Sequence, residues 1–225
     1  MKAENRVAVV ALRGLPIFAS LGEEQLAAVA RVSALRCVSR HGVVVSAGDC
    51  IDSIYLILSG GLKVVMGDQE GREVILSMLG PGDVFGEMGV IDDHPRSATV
   101  QAIDESSLVV ISQTEFQRCM ADNAEVALYV MRNLVKRLRA ADRKIESLSL
   151  LDVYGRVARV LLDLAEDRQG RKVVARRITR QDISQMVGAS REMVSRVMRD
   201  LQLRGLIEEK DGLIWLYEAI DGACQ

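Results

Sequence analysis

Short apolar runs separated by turn residues fill most of the first half of the chain. The runs are Val43-Val-Val, Ile54-Tyr-Leu-Ile-Leu, Leu62-Lys-Val-Val-Met, Val74-Ile-Leu and Leu108-Val-Val-Ile. Turn signals lie between them, at Gly48-Asp49, Gly60-Gly61, Asp68 to Gly71 and Gly80 to Asp83. Many short β-rich runs with regularly placed turns predict a small antiparallel barrel or roll. A helix is predicted before them, over Leu21 to Arg31, with Ser20 as its N-cap and Glu23 completing a capping box.

Helical periodicity replaces this pattern after Glu115. Steps of three and four residues join one set of positions: Leu128, Met131, Val135, Leu138, Asp142 and Ile145. Such heptad spacing predicts a seam between two packed helices, and we expect a homodimer formed through residues 123–149. The alternative is a helix that lies against its own barrel.

The last third of the chain has a third pattern. A helix is predicted over Val153 to Ala165, followed by a polar loop around Asp167-Arg-Gln-Gly. Helix, tight turn and helix follow, over Arg180 to Val187, Gly188-Ala-Ser and Arg191 to Leu203. A hairpin comes next, with Ile207-Glu-Glu and Leu213-Ile-Trp-Leu-Tyr around Lys210-Asp-Gly. This order is typical of a winged helix-turn-helix. The chain is therefore predicted to be an α+β protein in three parts, 1–122, 123–149 and 150–225.

Charge is unevenly distributed along the chain. The 225 residues carry a net charge of −2, but Arg171 to Leu206 holds nine basic and three acidic residues, a local +6 that leaves −8 elsewhere. A basic segment inside an acidic chain indicates a nucleic-acid partner for that segment. The sequence has no apolar run of the roughly 18 residues that a membrane span needs, and it begins with no signal-peptide pattern, so a cytoplasmic protein is expected.

Metal and disulfide chemistry is not expected. The four cysteines, Cys37, Cys50, Cys119 and Cys224, are widely scattered, without CxxC spacing, and the chain has two histidines. Clustered thiolate sites and multi-histidine sites need closer groupings than these.

The second helix of the helix-turn-helix can be interpreted position by position. Ser190 is a candidate N-cap, and Val194, Val197, Met198 and Leu201 have the spacing of a buried stripe. The opposite face carries Arg191, Glu192, Ser195 and Arg196. Recognition helices present such positions to base edges, where arginine pairs with guanine and glutamate accepts from cytosine. Thr179, Arg180 and Gln181 open the preceding helix and suit a DNA phosphate. The alternative is a solvated, salt-bridged helix face.

The segment from Pro81 to Val100 gathers glycines, a carboxylate, a guanidinium and a hydroxyl between apolar strands. Glycine lets the backbone approach a ligand, and an arginine such as Arg96 can bind two phosphate oxygens at once. The Glu87 carboxylate can accept from a ribose hydroxyl, and Ser97 can donate to phosphate. This segment, the cassette, is suited to a sugar phosphate.

The chain resembles the superfamily of the cAMP receptor protein and the fumarate–nitrate regulator. The resemblance rests on Phe85-Gly-Glu-Met-Gly, Arg96-Ser-Ala-Thr-Val, Leu151-Asp-Val-Tyr-Gly-Arg, Ile178-Thr-Arg-Gln and Gly188-Ala-Ser-Arg-Glu-Met-Val-Ser-Arg. It implies a cyclic-nucleotide-binding β-roll, a dimerisation helix and a DNA reader. It further implies Glu87 on the ribose and Arg96 and Ser97 on the cyclic phosphate. The remaining residues implied around the nucleotide are Gly86, Met88, Ala98, Val64, Leu76 and Ser77.

The same resemblance implies double-stranded DNA with a palindromic, TGTGA-like operator as one partner and RNA polymerase as another. Other branches of the superfamily fit less well. Met1 to Leu35 lacks the cysteines of the iron–sulfur sensors, and His94 is interpreted as a loop residue rather than a haem ligand. The branch responding to cyclic di-GMP tends to lose the arginine–serine pair, which is intact here. A cyclic mononucleotide, cAMP or cGMP, is therefore the expected effector, with no metal.

The base of that nucleotide is open. Where the cAMP receptor protein has a Thr-Ser pair toward adenine, this chain has Ala141-Asp142. A carboxylate matches the adjacent N1–H and N2–H₂ donors of guanine, so Asp142 favours cGMP; alternatively it points to solvent or sets the helix register. Two other functions are alternatives: a constitutive DNA-binding dimer, and an enzyme acting on cyclic nucleotides, for which the sequence shows no catalytic set.

Overall fold

A computed structural model describes residues 7–168, 170–175, 178–217 and 220 of the chain. They fall into two units, Met1–Lys136 and Arg137–Gln225, and the division lies inside a long helix.

Eight strands of the first unit form two four-stranded antiparallel sheets. The strands are β1 Ser33–Val38, β2 Val43–Val45, β3 Ser53–Ser59, β4 Leu62–Gly67, β5 Glu73–Leu79, β6 Val84–Phe85, β7 Thr99–Ala102 and β8 Ser106–Ser112. The strand orders are β1-β8-β3-β6 in one sheet and β2-β7-β4-β5 in the other. The predicted antiparallel roll is confirmed.

Strand β3 explains how the roll is held together. Side chains alternate between the two faces of a strand. Ile54 and Leu56 belong to a core shared with helices, whereas Tyr55 and Ile57 belong to a second core between the sheets. All four are buried. A strand covered on both faces therefore appears in the sequence as an unbroken apolar run.

Helices cover the roll. They are α1 Val9–Arg13, a 3₁₀ turn Pro16–Phe18, α2 Glu23–Val32, α3 Glu87–Asp92, α4 Gln113–Asp122 and α5 Ala124–Leu150. The predicted cap of α2 was wrong: Gly22, not Ser20, is its N-cap, and Gln25 Oε1 accepts from the Gly22 N–H at 2.9 Å. Ser20 still belongs to the turn after Pro16–Phe18, which Leu21 closes by donating to the Phe18 carbonyl at 3.0 Å.

Helix α5 has two different apolar faces. Val126 and Val130 are buried, and with the half-buried Tyr129 and Leu134 they pack on the core of the first unit. The heptad positions are exposed, with Leu128 at 38%, Met131 at 52%, Val135 at 48%, and Leu138 and Ile145 at 63% each. The seam is thus a different face from the one that covers the roll, and within this chain it stays open to solvent.

The second unit contains a helix-turn-helix and a four-stranded sheet. Its elements are α6 Val153–Leu164, β9 Glu166–Arg168, β10 Arg171–Val174, α7 Arg180–Val187, α8 Arg191–Leu203, β11 Ile207–Lys210 and β12 Leu213–Leu216. The sheet order is β11-β12-β10-β9. The winged helix-turn-helix is confirmed, but the polar loop predicted around Asp167 was wrong. There β9 and β10 pair as a hairpin. Val173 and Val174 lie opposite β12 and are both buried, Val174 in the core that α6 shares, while the polar residues face solvent.

The turn between α7 and α8 depends on one glycine. Gly188 ends α7 with a φ of 64°, in the left-handed region that favours glycine. Its N–H and that of Ala189 both donate to the Ser184 carbonyl, at 3.0 and 3.3 Å. Ser190 follows at once as the N-cap of α8, so the two helices are joined by three residues. A core of Val157, Leu161, Ile183, Val194, Val197, Met198 and Leu201 lies beneath them.

Candidate functional site

Gly86 links strand β6 to helix α3 and shapes the cassette. Its φ is 85°, and a Cβ atom placed on it would collide with Nη1 of Arg96. The Arg96 Nη1 donates to the Gly86 carbonyl at 3.0 Å. A glycine is therefore required here both for the backbone angle and for the close approach of the arginine.

Arg96 is a buried cation, with only 6% of its surface exposed. Its Nη2 donates to the Ser53 carbonyl at 2.5 Å and lies 3.4 Å from Asp52 Oδ1. The guanidinium carbon is 5.6 Å from the centre of the Tyr55 ring, and that ring stacks on Phe85 at 5.0 Å. Among the described residues Nε has no hydrogen-bond partner. The guanidinium is thus fixed in place with a donor still to be used, and a buried donor without a partner is costly.

The other predicted cassette residues differ in their exposure to solvent. Glu87, the first residue of α3, is 3% exposed and Ala98 is 8% exposed, whereas Met88 and Ser97 are exposed. Glu87 is therefore a second buried ionisable side chain within the cassette.

The remaining predicted pocket residues lie on two other elements. Val64 and Ser77 are register partners across β4 and β5, with Leu76 beside them and 42% exposed. Ala141 and Asp142 lie on α5 in the second unit and are exposed, so their predicted contact with the base stays a prediction.

Sequence reasoning missed the residues that hold Arg96. Asp52 and Ser53 lie 44 and 43 residues before it in the chain. The sequence pattern places Tyr55 as one apolar position of a strand, although its ring stacks on Phe85 and lies 5.6 Å from the guanidinium carbon. A tyrosine inside an otherwise aliphatic run was the signal that could have identified it.

Helix α8 presents the polar face that the sequence predicted. Val194, Val197, Met198 and Leu201 are buried, as the predicted stripe requires. The opposite face forms a shallow groove lined by Arg191, Glu192, Ser195, Arg196 and Arg199. Arg199 was not singled out from the sequence, although it follows Arg196 by three residues on the same face.

Two serines of α8 are engaged within the helix. Ser190 Oγ accepts from the Met193 N–H at 3.2 Å, which confirms it as the N-cap, and Ser195 Oγ donates to the Arg191 carbonyl at 2.9 Å. The Glu192 N–H and then the Ser190 hydroxyl, both donating to the Glu192 carboxylate, hold its pKa below the ordinary value. Glu192 is therefore an ionised acceptor at neutral pH, the form that can accept from a cytosine amino group.

The start of α7 is closed by its own residues. Thr179 Oγ1 accepts from the Asp182 N–H at 3.0 Å, and Asp182 Oδ2 accepts from the Thr179 N–H at 3.0 Å, a reciprocal capping box. Arg180 forms an ion pair with Glu209 of strand β11, and Gln181 is exposed. Glu209 was not predicted to take part, because 29 residues separate it from Arg180.

Comparisons with known proteins match both halves of the chain. Residues 35–123 match the cyclic nucleotide-binding domain, and residues 155–218 match the Crp-like helix-turn-helix domain. The "cAMP-activated global transcriptional regulator Vfr" of Pseudomonas aeruginosa is 36% identical over 185 residues, which cover 78% of this chain and 85% of that protein. The chain belongs to the Crp/Fnr family of transcription regulators.

Other Crp/Fnr relatives agree in sequence and in fold. The "CRP-like cAMP-activated global transcriptional regulator" of Mycobacterium tuberculosis is 35% identical over 172 residues, covering 75% of this chain and 77% of that protein. The solved structure of the "c-di-GMP responsive global regulator CLP" of Xanthomonas campestris superposes with a TM-score of 0.71 and 29% identity, covering 86% of this chain and 97% of that one.

As a Crp/Fnr regulator, the chain combines a cyclic nucleotide-binding domain with a DNA-binding helix-turn-helix domain. It is a transcription regulator and not an enzyme. Within the described ranges, no helix has both the length and the hydropathy to cross a membrane. Over those ranges, too, no three His, Cys, Asp or Glu side chains are grouped as metal ligands.

Proposed function

We propose that this Crp/Fnr regulator binds a cyclic mononucleotide in the cassette and, as a homodimer, reads a palindromic TGTGA-like operator. One observation carries the nucleotide half of the proposal: Arg96 is buried and held by the backbone carbonyls of Gly86 and Ser53. Carbonyls fix a guanidinium without neutralising its charge. Asp52, the carboxylate that lies 3.4 Å from Nη2, has a side chain that is 80% exposed. An anion that reaches Arg96 therefore gains a charge-assisted bond at a pre-organised donor.

The proposed contacts assign one chemical task to each polar group. Arg96 and Ser97 bind the cyclic phosphate, and Glu87 accepts from the ribose 2′-hydroxyl. Gly86, Met88 and Ala98 shape the cradle, while Val64, Leu76 and Ser77 line the pocket. The names of the relatives, which are cAMP-activated, support a cyclic purine nucleotide.

The homodimer is proposed from the second apolar face of α5. The exposed seam positions have the heptad spacing of a two-helix interface. A symmetric dimer presents two copies of α8, and two-fold protein symmetry matches a palindromic operator. Arg191, Glu192, Ser195 and Arg196 are proposed at the bases. Ser190, the N-cap of their helix, is proposed at the DNA as well, and Thr179, Arg180 and Gln181 are proposed at the phosphates. RNA polymerase is the proposed partner for activation, in the cytoplasm.

Two alternatives to a cyclic mononucleotide are a different effector, cyclic di-GMP, and no effector at all. The structural likeness to CLP favours cyclic di-GMP as the second candidate, because that protein is described as c-di-GMP responsive. The intact Arg96-Ser97 pair supports the mononucleotide instead. A constitutive reader would bind DNA equally well with or without any nucleotide.

The deciding experiment is calorimetric titration of the full-length, nucleotide-stripped protein with cAMP, cGMP and cyclic di-GMP. A cyclic mononucleotide is expected to bind, and Arg96→Ala to weaken it by roughly 2 kcal/mol or more, about thirtyfold, because a desolvated charge loses its partner. Arg72→Ala is the matched control. Arg72 is 76% exposed, pairs with Asp68 and Glu70, and lies on the β4–β5 turn of the same unit.

Thermal unfolding of each variant separates lost binding from lost folding, and Arg96→Lys, which keeps the charge, is the second variant. Binding of cyclic di-GMP alone would replace the mononucleotide with the second candidate. If Arg72→Ala and Arg96→Ala lower nucleotide affinity equally in folded protein, Arg96 is not a nucleotide-binding residue.

A further inference from the structure

The second unit contains an ion pair between helix α7 and the wing, the β11–β12 hairpin over residues 207–216. Arg180 is the first residue of α7, and its guanidinium binds the Glu209 carboxylate of β11. The two side chains are 28% and 35% exposed, so the pair is partly shielded from water. A cation in the first turn of a helix is disfavoured by the helix dipole. A negative group beside Arg180 is therefore needed, and Glu209 supplies it here.

The adjacent carboxylate has a different partner. Glu208 accepts from the Tyr217 hydroxyl at 2.8 Å. Consecutive residues of a strand point to opposite faces, so Glu208 and Glu209 face away from each other. Their register partners on β12, Trp215 and Ile214, differ accordingly. The wing thus carries two neighbouring carboxylates, of which Glu209 pairs with Arg180 and Glu208 bonds to Tyr217.

We propose that Glu209 competes with DNA phosphate for Arg180 and so lowers the affinity of the reader for any DNA sequence. The proposal rests on the proposed phosphate contact of Arg180. When DNA binds, the guanidinium exchanges the Glu209 carboxylate for a phosphate oxygen. The released carboxylate then takes up a cation, which cancels part of the counterion release that drives DNA binding.

This competition acts on the part of the binding energy that does not depend on sequence. Phosphate contacts position a reader, whereas base contacts specify the sequence. Arg191, Glu192 and Arg196 lie on the groove face of α8, and Glu209 pairs with none of them among the described contacts. Glu209 therefore weakens operator and non-operator DNA by a similar factor.

The experiment compares Glu209→Gln with Glu208→Gln in the full-length protein. Both variants remove one negative charge from the same strand, at neighbouring positions. They change the net charge equally, but only Glu209→Gln removes the partner of Arg180. Binding is measured by fluorescence anisotropy on two labelled duplexes, a TGTGA palindrome and a mixed sequence without it, over a salt series with and without cAMP. Glu209→Gln is expected to tighten both duplexes about two- to fivefold more than Glu208→Gln, the range for a partly exposed ion pair. It should also steepen the logarithmic salt slope for each protomer on the DNA, by less than the roughly 0.9 that one phosphate contact contributes.

A double-mutant cycle completes the test. In an Arg180→Ala background, Glu209→Gln should change DNA affinity no more than Glu208→Gln does, because the guanidinium for which Glu209 competes is absent. If the two glutamine variants change DNA affinity equally in the wild-type background, Glu209 acts only through the net charge of the wing, and the proposal is overturned. Weaker DNA binding by folded Glu209→Gln would also overturn it, since the ion pair would then position the wing. If Arg180→Ala fails to flatten the salt slope in the Glu209→Gln background, where no carboxylate is released, the phosphate contact itself fails, which is a distinguishable result.

Discussion

At the scale of single residues, Arg96 shows how a buried guanidinium is pre-organised for an anion. Its guanidinium is anchored on the carbonyls of Gly86 and Ser53 and lies near the Tyr55 ring. These two anchors are neutral and leave the charge available, and Asp52, the carboxylate that lies 3.4 Å from Nη2, is exposed to solvent. The site is therefore organised before a ligand arrives, which lowers the entropy lost on binding.

Asp142 carries the prediction about the base. If its carboxylate accepts from guanine N1–H and N2–H₂, Asp142→Ala should lower cGMP affinity by roughly 1.5–3 kcal/mol, the worth of a hydrogen bond to a charged group, with little effect on cAMP. The measurement is the ratio of cGMP to cAMP affinity by calorimetry. Asp142→Asn is the second variant, because it keeps the size and removes the charge. An unchanged ratio would leave Asp142 as a residue of the helix seam.

The candidate residues could be predicted from the sequence where chemistry and local spacing coincide. Gly86, Glu87 and Arg96 lie within one segment, and Ser190 to Arg196 lie on one helix, so short spacing was enough to find them. Asp52 and Glu209 meet their arginines across 44 and 29 residues. Those contacts depend on strand pairing and helix packing, which no local pattern encodes.

At the scale of elements, α5 has two apolar faces with separate uses. One face, with Val126 and Val130, completes the core of the first unit. The seam face exposes Leu128, Met131 and Leu138, and such a row is unusual for a helix without a partner. The heptad steps predicted this row because the two faces differ in phase along the helix.

Leu138→Glu tests the seam. Burying a leucine contributes about 1.5–3 kcal/mol, and a symmetric dimer buries two copies, so dimerisation should weaken by roughly 3 kcal/mol or more. Sedimentation equilibrium of the full-length protein measures the change. Ala140→Glu is the control, since it adds the same charge to the same helix at an exposed position outside the seam. If both variants dimerise like the wild type, the interface lies elsewhere.

Two elements were harder to predict, because their sequences lack the hydrophobic pattern or cap that usually marks such a strand or helix start. The β9–β10 hairpin is polar on its exposed side, and its buried Val173 and Val174 are too few to show an alternating pattern. The start of α2 was misplaced because the chain continues a turn through Leu21, and Gln25 then caps Gly22. Both errors arise from neighbours in space that the sequence window does not contain.

At the scale of the whole molecule, the two units share one helix. The division between them falls after Lys136, inside α5, so this element contributes residues to the nucleotide-binding unit and to the DNA-reading unit alike. In the proposed homodimer, regulation requires that nucleotide and DNA favour the same state. Such coupling is a free energy shared by both sites, and it can be measured from either one.

Reciprocity gives the last prediction. If the effector raises affinity for a TGTGA palindrome by some factor, the palindrome must raise affinity for the effector by the same factor. A coupling of about 1–3 kcal/mol, five- to 150-fold, is typical of such regulators. Anisotropy with and without nucleotide gives the first factor, and calorimetry with and without duplex gives the second. The mixed-sequence duplex is the control, for which a smaller factor is expected. A factor of one from both sides, in protein that binds the nucleotide, would make the reader constitutive and leave the roll as a dimerisation support.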